Sequence, residues 1–184
     1  MTLLKNDKIS LRPLEPEDLD LLYEWENDSS IWAAGSTVSP YSRYTLKEYI
    51  AQSHRCIYEM KQLRLMIDTC DGSVGLADFY DFDVHNRKVA AGVLIDPNHR
   101  GKGIATGTLT LMKGYAFSFL KLHQLYAYML VANEASRRLL DRCGFTLSGV
   151  LTDWTSAGGG FSDVLLFQCI NQNQDSGRVS EPVE

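Results

Sequence analysis

At 184 residues with 45% hydrophobic side chains, the chain is long enough for one well-filled core and too short for two comfortable domains. A formal charge of −5, with 18 basic residues scattered among 23 acidic ones, argues against a nucleic-acid-binding surface and leaves room for a cationic partner. No apolar run approaches the roughly 20 residues that cross a bilayer, and the first residues lack a secretory leader, so no membrane association and a cytoplasmic location are expected.

Taken in chain order, Ile9–Arg12 reads as a short strand. Pro16, Glu17 and Asp18 then open a helix, because proline suits a first turn and acids there face the positive end of the helix dipole. Leu19, Leu22 and Trp25 mark its buried side. After a polar stretch from Asn27 to Tyr44, the run Thr45-Leu46-Lys47-Glu48 supplies a capping box that starts a second helix ending near Tyr58. From Leu63 the pattern becomes strand-like. Residues 63–68, 74–82 and 89–95 form an antiparallel meander with turns at Asp71-Gly72 and Val84–Asn86.

Asp96-Pro97 ends the last of these strands. Ile104, Leu111, Met112, Tyr115, Phe119 and Leu120 recur at helical spacing and predict a long amphipathic helix reaching Leu120. Leu125–Val131 is the next strand. A strand, a long helix and a strand in succession form a right-handed crossover, so it should lie parallel to 89–95. Ala135–Cys143 is a short helix stopped by Gly144, and 145–151 with 164–170 form a hairpin around Ala157–Gly160. The fold class is therefore α/β, a mixed sheet covered by helices rather than a doubly wound one. A single domain over 1–170 and a disordered polar tail over 171–184 are expected.

Between the meander and the long helix lie Arg100, Gly101, Lys102, Gly103, Ile104 and Ala105. The glycines let backbone amides approach one anion closely, the helix start adds partial positive charge, and Arg100 and Lys102 add attraction. On spacing alone this is a candidate phosphate cradle, with a plain structural turn as the competing reading. It is neither Gly-x-x-x-x-Gly-Lys-Ser/Thr nor Gly-x-Gly-x-x-Gly, since position 106 is Thr106.

This hexapeptide resembles the Arg/Gln-x-x-Gly-x-Gly/Ala signature of the GNAT superfamily of N-acetyltransferases. The segments Leu11-Arg12-Pro13-Leu14 with Pro16-Glu17-Asp18, Ile95-Asp96-Pro97, Asn133-Glu134-Ala135-Ser136 and Arg142-Cys143-Gly144-Phe145 are similar to the branch of ribosomal-protein N-terminal acetyltransferases and spermidine N-acetyltransferases. The resemblance covers roughly residues 9–170. It implies the acyl-CoA N-acyltransferase fold, with helices on both sheet faces, and acetyl-CoA as cofactor. The main chain of Val93, Leu94 and Ile95 would hold the pantetheine arm and the amides of Gly101 to Ala105 the pyrophosphate. Asn133 would border the thioester, and Arg137 or Arg138 would approach a phosphate. The acetyl group would pass by direct attack in a ternary complex to a primary amine: a polyamine such as spermidine, a protein N-terminal α-amine, or an aminoglycoside. Homo-oligomers also occur in this family.

An ammonium group must lose a proton before it attacks, and the departing thiolate must gain one. Relatives often carry a Glu where Ala90 stands, and spermidine acetyltransferases a Tyr where Leu140 stands. Both groups are missing here, which keeps a non-catalytic acetyl-CoA or polyamine sensor open as an alternative. Ser136 matches a serine that the ribosomal-protein branch offers near the thioester sulfur, and the resemblance makes it the first candidate hydroxyl donor, its competing role being to satisfy helix-start amides. Tyr126 and Tyr128 share one strand face and offer a phenol, with ordinary packing as the alternative. Glu24, Trp25, Glu26, Asp28, Trp32, Asp153 and Trp154 combine carboxylates and aromatics suited to a cationic amine, against a solvated face or core packing. His54, His85, His99, His123 and the four cysteines show no ligand spacing, so no metal is expected and the thiols read as reduced and structural.

Overall fold

The computed structural model describes residues 3–32, 39–157 and 159–172. Strands β1 (Ser10–Pro13), β2 (Leu63–Thr69), β3 (Gly72–Asp83), β4 (Lys88–Ile95), β5 (Gln124–Leu130), β6 (Thr146–Ala157) and β7 (Gly160–Ile170) form one sheet in the order β1-β2-β3-β4-β5-β7-β6. All neighbours are antiparallel except β4 and β5, the expected crossover pair. Helices are α1 (Leu19–Glu26), α2 (Ser29–Trp32), α3 (Arg43–Gln52), α4 (Ile57–Met60), α5 (Ile104–Gly114) and α6 (Glu134–Arg142).

Strand alternation divides the core between two faces. Leu65, Ile67, Ala77, Phe79, Val89 and Ala91 pack on one side with Leu109 and Met112 of α5 and Leu140 of α6. Met66 and Leu76 turn the other way, onto Leu22 and Trp25 of α1 and Leu46 and Ile50 of α3. Helices therefore cover both faces.

Several local expectations shift. Ser42, rather than Thr45, caps α3: its Oγ accepts from Thr45 N at 3.0 Å, which places Thr45 inside the first turn. The helix stops at Gln52, and α4 is separate, closed by Lys61 in a left-handed conformation (φ 57°). Within the stretch read as irregular, Ser29–Trp32 forms the short α2. α5 gives way at Tyr115 to a wider π turn, in which Leu120 N bonds Tyr115 O at 3.0 Å. Asn171, read as the start of the tail, is buried and its N–H reaches His123 O at 2.8 Å. The tail from 173 onward lies outside the described residues. No described helix is long and apolar enough to cross a membrane, and no described cluster of His, Cys, Asp and Glu could hold a metal ion.

Arg12 ties the first strand to the rest of the sheet. Its guanidinium forks onto both Asp18 carboxylate oxygens at 2.7 and 2.8 Å, while Nε meets Asp68 Oδ2 at 2.7 Å and Nη2 meets Ser73 Oγ at 3.0 Å. Burial works against the Asp18 charge, but the Arg12 fork and the Glu15 N–H outweigh it and hold the carboxyl below its usual range. A carboxyl depressed in the folded state adds stability above the unfolded value near pH 4, and that stability is lost as pH falls through the folded value. Asp18→Asn, which strands Arg12 beside one remaining carboxylate, is expected to cost about 3 kcal/mol at pH 7, or roughly 6–12 °C in Tm. Thermal melts from pH 7 to pH 2 should show the wild-type protein losing stability more steeply below pH 4 than the variant.

Candidate active site

Pairing between β4 and β5 is confined to Lys88–Gln124, Val89–Leu125 and Ala90–Tyr126. From Ala91 to Ile95, β4 keeps only β3 as a neighbour, in register Phe79↔Ala91 to Gly75↔Ile95. The side of β4 turned towards β5 therefore presents alternating amides and carbonyls along a wedge, an edge that can take an extended chain bearing amides of its own. Of the residues expected there, Val93 packs with the α5 face, Leu94 with the α1 face, and Ile95 is buried. The β3 side is held tight at Gly75, where a Cβ would stand 2.1 Å from Leu94 O, so only glycine lets the strands come this close.

The strand leads into the glycine loop. Asp96 N bonds Val74 O at 2.9 Å, its Oδ1 accepts from Asn98 N at 2.8 Å, and its Oδ2 faces Trp25 Nε1 at 3.4 Å. Burial opposes the Asp96 charge, but these donors together with His99 keep the carboxyl below its ordinary range. Arg100 turns back to donate Nε to Ile95 O at 2.9 Å, and Lys102 Nζ lies 4.0 Å from Asp71 Oδ2. Gly101 (φ 78°) and Gly103 (φ 77°) adopt left-handed conformations, and Gly103 is the N-cap of α5. With no side chain to cap the helix, the amides of Ile104, Ala105 and Thr106 face outward before the first helical bond, Gly107 N to Gly103 O at 3.1 Å. Free amides, a helix dipole and two basic side chains at one point make an anion cradle.

Across the wedge, α6 begins at Asn133. Its Oδ1 accepts from Ser136 N at 3.0 Å, so the capping role weighed for Ser136 belongs to Asn133, and the Ser136 hydroxyl takes no part in the cap. Arg137 and Arg138 are exposed on this helix, with Arg138 Nη1 3.9 Å from Glu134 Oε2. Leu140 is buried in the core.

On the α1 side, the sheet face carries polar groups that one-strand patterns did not reveal. Arg64 on β2 grips Asp78 on β3 through Nε–Oδ1 at 2.6 Å and Nη2–Oδ2 at 3.2 Å, bonds Glu26 of α1, and lies 5.4 Å from the centre of the Tyr49 ring. Burial disfavours its charge, yet Asp78 and Glu26 more than compensate and hold the guanidinium firmly protonated. Further along the same face stand Tyr80, Tyr126 and Tyr128. The Tyr126 and Tyr128 rings meet edge to face at 5.6 Å, and Tyr128 is 42% exposed. Burial first, then nearby Asp81 and its tyrosine neighbours, pushes the Tyr126 phenol up to about 12. The signal in the sequence was the set of polar residues, Arg64, Asp78 and Tyr80, at alternate positions of otherwise apolar strands.

The expected acceptor residues separate. Glu24 is exposed on α1, Asp28 follows that helix, and Trp32 donates Nε1 to Glu26 O at 2.8 Å. Trp25 is only 4% exposed and packs with Leu22, Met66 and Leu76, so it belongs to the core instead of an acceptor surface. Asp153 (φ 51°) and Trp154, 63% exposed, lie on β6 at the opposite edge of the sheet, with β4, β5 and β7 between them and β3.

Against known proteins, the profile of the acetyltransferase (GNAT) domain matches residues 8–146. The chain is 28% identical over 167 residues to spermidine N(1)-acetyltransferase of Escherichia coli K12, covering 90% of this chain and 87% of that one. It is 29% identical over 173 residues to the putative ribosomal N-acetyltransferase YdaF of Bacillus subtilis, covering 91% and 93%. Among solved structures, spermidine N-acetyltransferase from Vibrio cholerae in complex with CoA and spermine superposes with a TM-score of 0.81 at 25% identity, over 90% of this chain and 96% of that one. The same enzyme is also known as a dodecamer, with a TM-score of 0.74 at 25% identity.

Gly103→Val tests the loop. A Cβ there meets nothing within 4 Å, so the variant should fold, carrying only the strain of a left-handed residue, about 1–2 kcal/mol. Calorimetric titration with CoA is expected to show affinity weakened at least tenfold; unchanged affinity would remove the loop from the site.

Proposed function

Because this chain belongs to the GNAT acetyltransferase family and as such moves an acetyl group from acetyl-CoA to an amine, we propose that its acceptor is a polyamine of the spermidine kind. The observation that carries the acetyl-CoA site is the open β4 edge followed, after the glycine loop, by the uncapped α5 amino terminus. In this proposal the main chain of Val93, Leu94 and Ile95 holds the pantetheine arm. The amides from Gly101 to Ala105, through Lys102, Gly103 and Ile104, hold the pyrophosphate, with Arg100, Lys102 and Arg138 adding positive charge. Asn133 sets the start of α6 beside the thioester and leaves Ser136 Oγ free of the cap to face it. Bound there, acetyl-CoA supplies the activated acyl group, and the protein supplies position, which by itself is worth about 7–11 kcal/mol of a barrier.

A polyamine fits the rest of the chain. The net charge of −5 attracts cations, and Glu24, Asp28 and Trp32 near α1 provide carboxylates and an aromatic face for ammonium groups, while Asp153 and Trp154 lie apart on β6. Two of the relatives named above act on spermidine. The likeness to the ribosomal enzyme of B. subtilis supports a protein α-amine as the second reading. The exposed edge strand β6, with Leu147, Val150 and Trp154 outward, supports a homo-oligomer, as in the V. cholerae dodecamer. Work on a cytoplasmic metabolite accords with this reading.

Thiol release from acetyl-CoA, followed with spermidine, spermine, aminoglycosides and short peptides, tests the acceptor. Spermidine-dependent release is expected; release with peptides alone would overturn the polyamine reading. In the same assay Ser136→Ala should lower turnover about tenfold, the scale of one hydrogen bond to the reacting thioester, with CoA affinity preserved. An unaltered rate would remove Ser136 from the reaction.

A further inference from the structure

β4 carries no proton-bearing side chain from Val89 to Ile95, so within the sheet the nearest proton-bearing groups to the vertex are those of the neighbouring strands. Ala90 is paired with Tyr80 of β3 on one side and with Tyr126 of β5 on the other, which puts both phenols on its face of the sheet. Tyr80 reaches further. A Cβ at Gly92 would lie 3.6 Å from Tyr80 Cε1, so the ring leans along β4 over Gly92, past the last β4–β5 pair and into the opening of the wedge. The lack of a side chain at Gly92 and the methyl of Ala90 leave the space it occupies.

The remaining groups on this face are otherwise engaged. Asp78, beside Gly92 in the register, is held by both arms of the Arg64 fork. The Tyr126 and Tyr128 rings are packed against each other on β5. Tyr80 is half-buried and its Oη has no hydrogen-bond partner among the described residues, so a ligand group in the wedge meets a hydroxyl with its proton available.

We propose that Tyr80 is the proton donor for acetyl transfer, acting on the sulfur that leaves at the β4–β5 vertex. The proposal rests on the acetyl-CoA site described above and adds a residue to it. A neutral amine forms the N–C bond to the acetyl carbonyl carbon, and the C–S bond breaks with its electron pair going to sulfur. Tyr80 Oη gives its proton to that sulfur and takes one from the acylated nitrogen, so the phenol is restored and the products are an amide and a free thiol. Burial, reinforced by Asp81 and Asp78, raises this phenol to about 12 and keeps it protonated at neutral pH, as a donor must be.

Tyr80→Phe keeps the ring and removes only the hydroxyl, and no described residue loses a hydrogen bond, so the variant should fold with an unchanged melting point. Its kcat is expected to fall about a hundredfold, with the KM for acetyl-CoA within threefold of wild type. Binding gives a separate readout. By calorimetry the wild-type protein should prefer CoA over desulfo-CoA about fivefold, the scale of one hydrogen bond to the sulfur, and Tyr80→Phe should bind the two alike. A folded Tyr80→Phe variant with undiminished kcat, or one that keeps the preference for CoA, overturns the assignment and leaves the acetyl-CoA site standing. Failure of the wild-type protein to bind CoA overturns both. Tyr126→Phe, measured in parallel, should lose less activity than Tyr80→Phe; the reverse order would move the role to Tyr126.

Discussion

A strand at the middle of a sheet ordinarily has two neighbours, and β4 has two only as far as Ala90. Beyond that residue its amides and carbonyls need other partners, since main-chain polar groups away from water are seldom left unpaired. The remaining features of the site depend on this break. The strand stays straight enough to be useful because β3 holds it through register pairs down to Ile95, with Gly75 allowing the close approach. Crossover topology then starts α5 where β4 ends, so the exposed main chain of a strand and the exposed amides of a helix follow one another within a few residues. One long ligand carrying amides and phosphates matches both.

Two ion-pair networks lie on the β1–β3 side of this opening. Arg12 joins β1 to Asp18, Asp68 and Ser73, and Arg64 joins β2 and β3 to α1 through Asp78 and Glu26. Both arginines carry two carboxylates apiece, so neither leaves an excess positive charge on the α1 face. The carboxylates left exposed there and on β6 then set the sign of the field, in keeping with the acidity of the whole chain. Desolvation offsets much of the attraction in ion pairs as sheltered as these, so their net contribution to stability is smaller than their short distances suggest.

Most of the architecture was readable from local chemistry. The alternation of β2 to β4, the helical spacing after Gly103 and the glycine that ends α6 each follow from one segment considered alone, and each has its counterpart in the structure. Segment-level reading also failed in specific ways. A Ser-x-x-Thr start and a Thr-x-x-Glu box overlap at the head of α3, and pattern alone does not say which hydroxyl wins; Ser42 does. Likewise Asn133 and Ser136 are both able caps, and the amide oxygen takes the role that stood as the alternative for the hydroxyl. Trp25 has the profile of a core residue and of an aromatic contact alike, and only packing against Met66 and Leu76 decides between them. The alignment of Tyr80, Ala90 and Tyr126 across three strands depends on register, which no single strand encodes.

The contact between Trp25 Nε1 and Asp96 Oδ2 makes α1 and the glycine loop one optical unit. Of the three tryptophans, Trp25 is the buried one, whereas Trp154 stands out in solvent. A buried indole emits further to the blue than an exposed one, and a carboxylate beside its N–H polarises the excited state. Asp96 sits between the end of β4 and the loop, so displacement of that loop alters the emission of Trp25 specifically. The molecule thus carries an intrinsic fluorophore at the junction of its two halves, through which the state of the loop can be followed without any attached label.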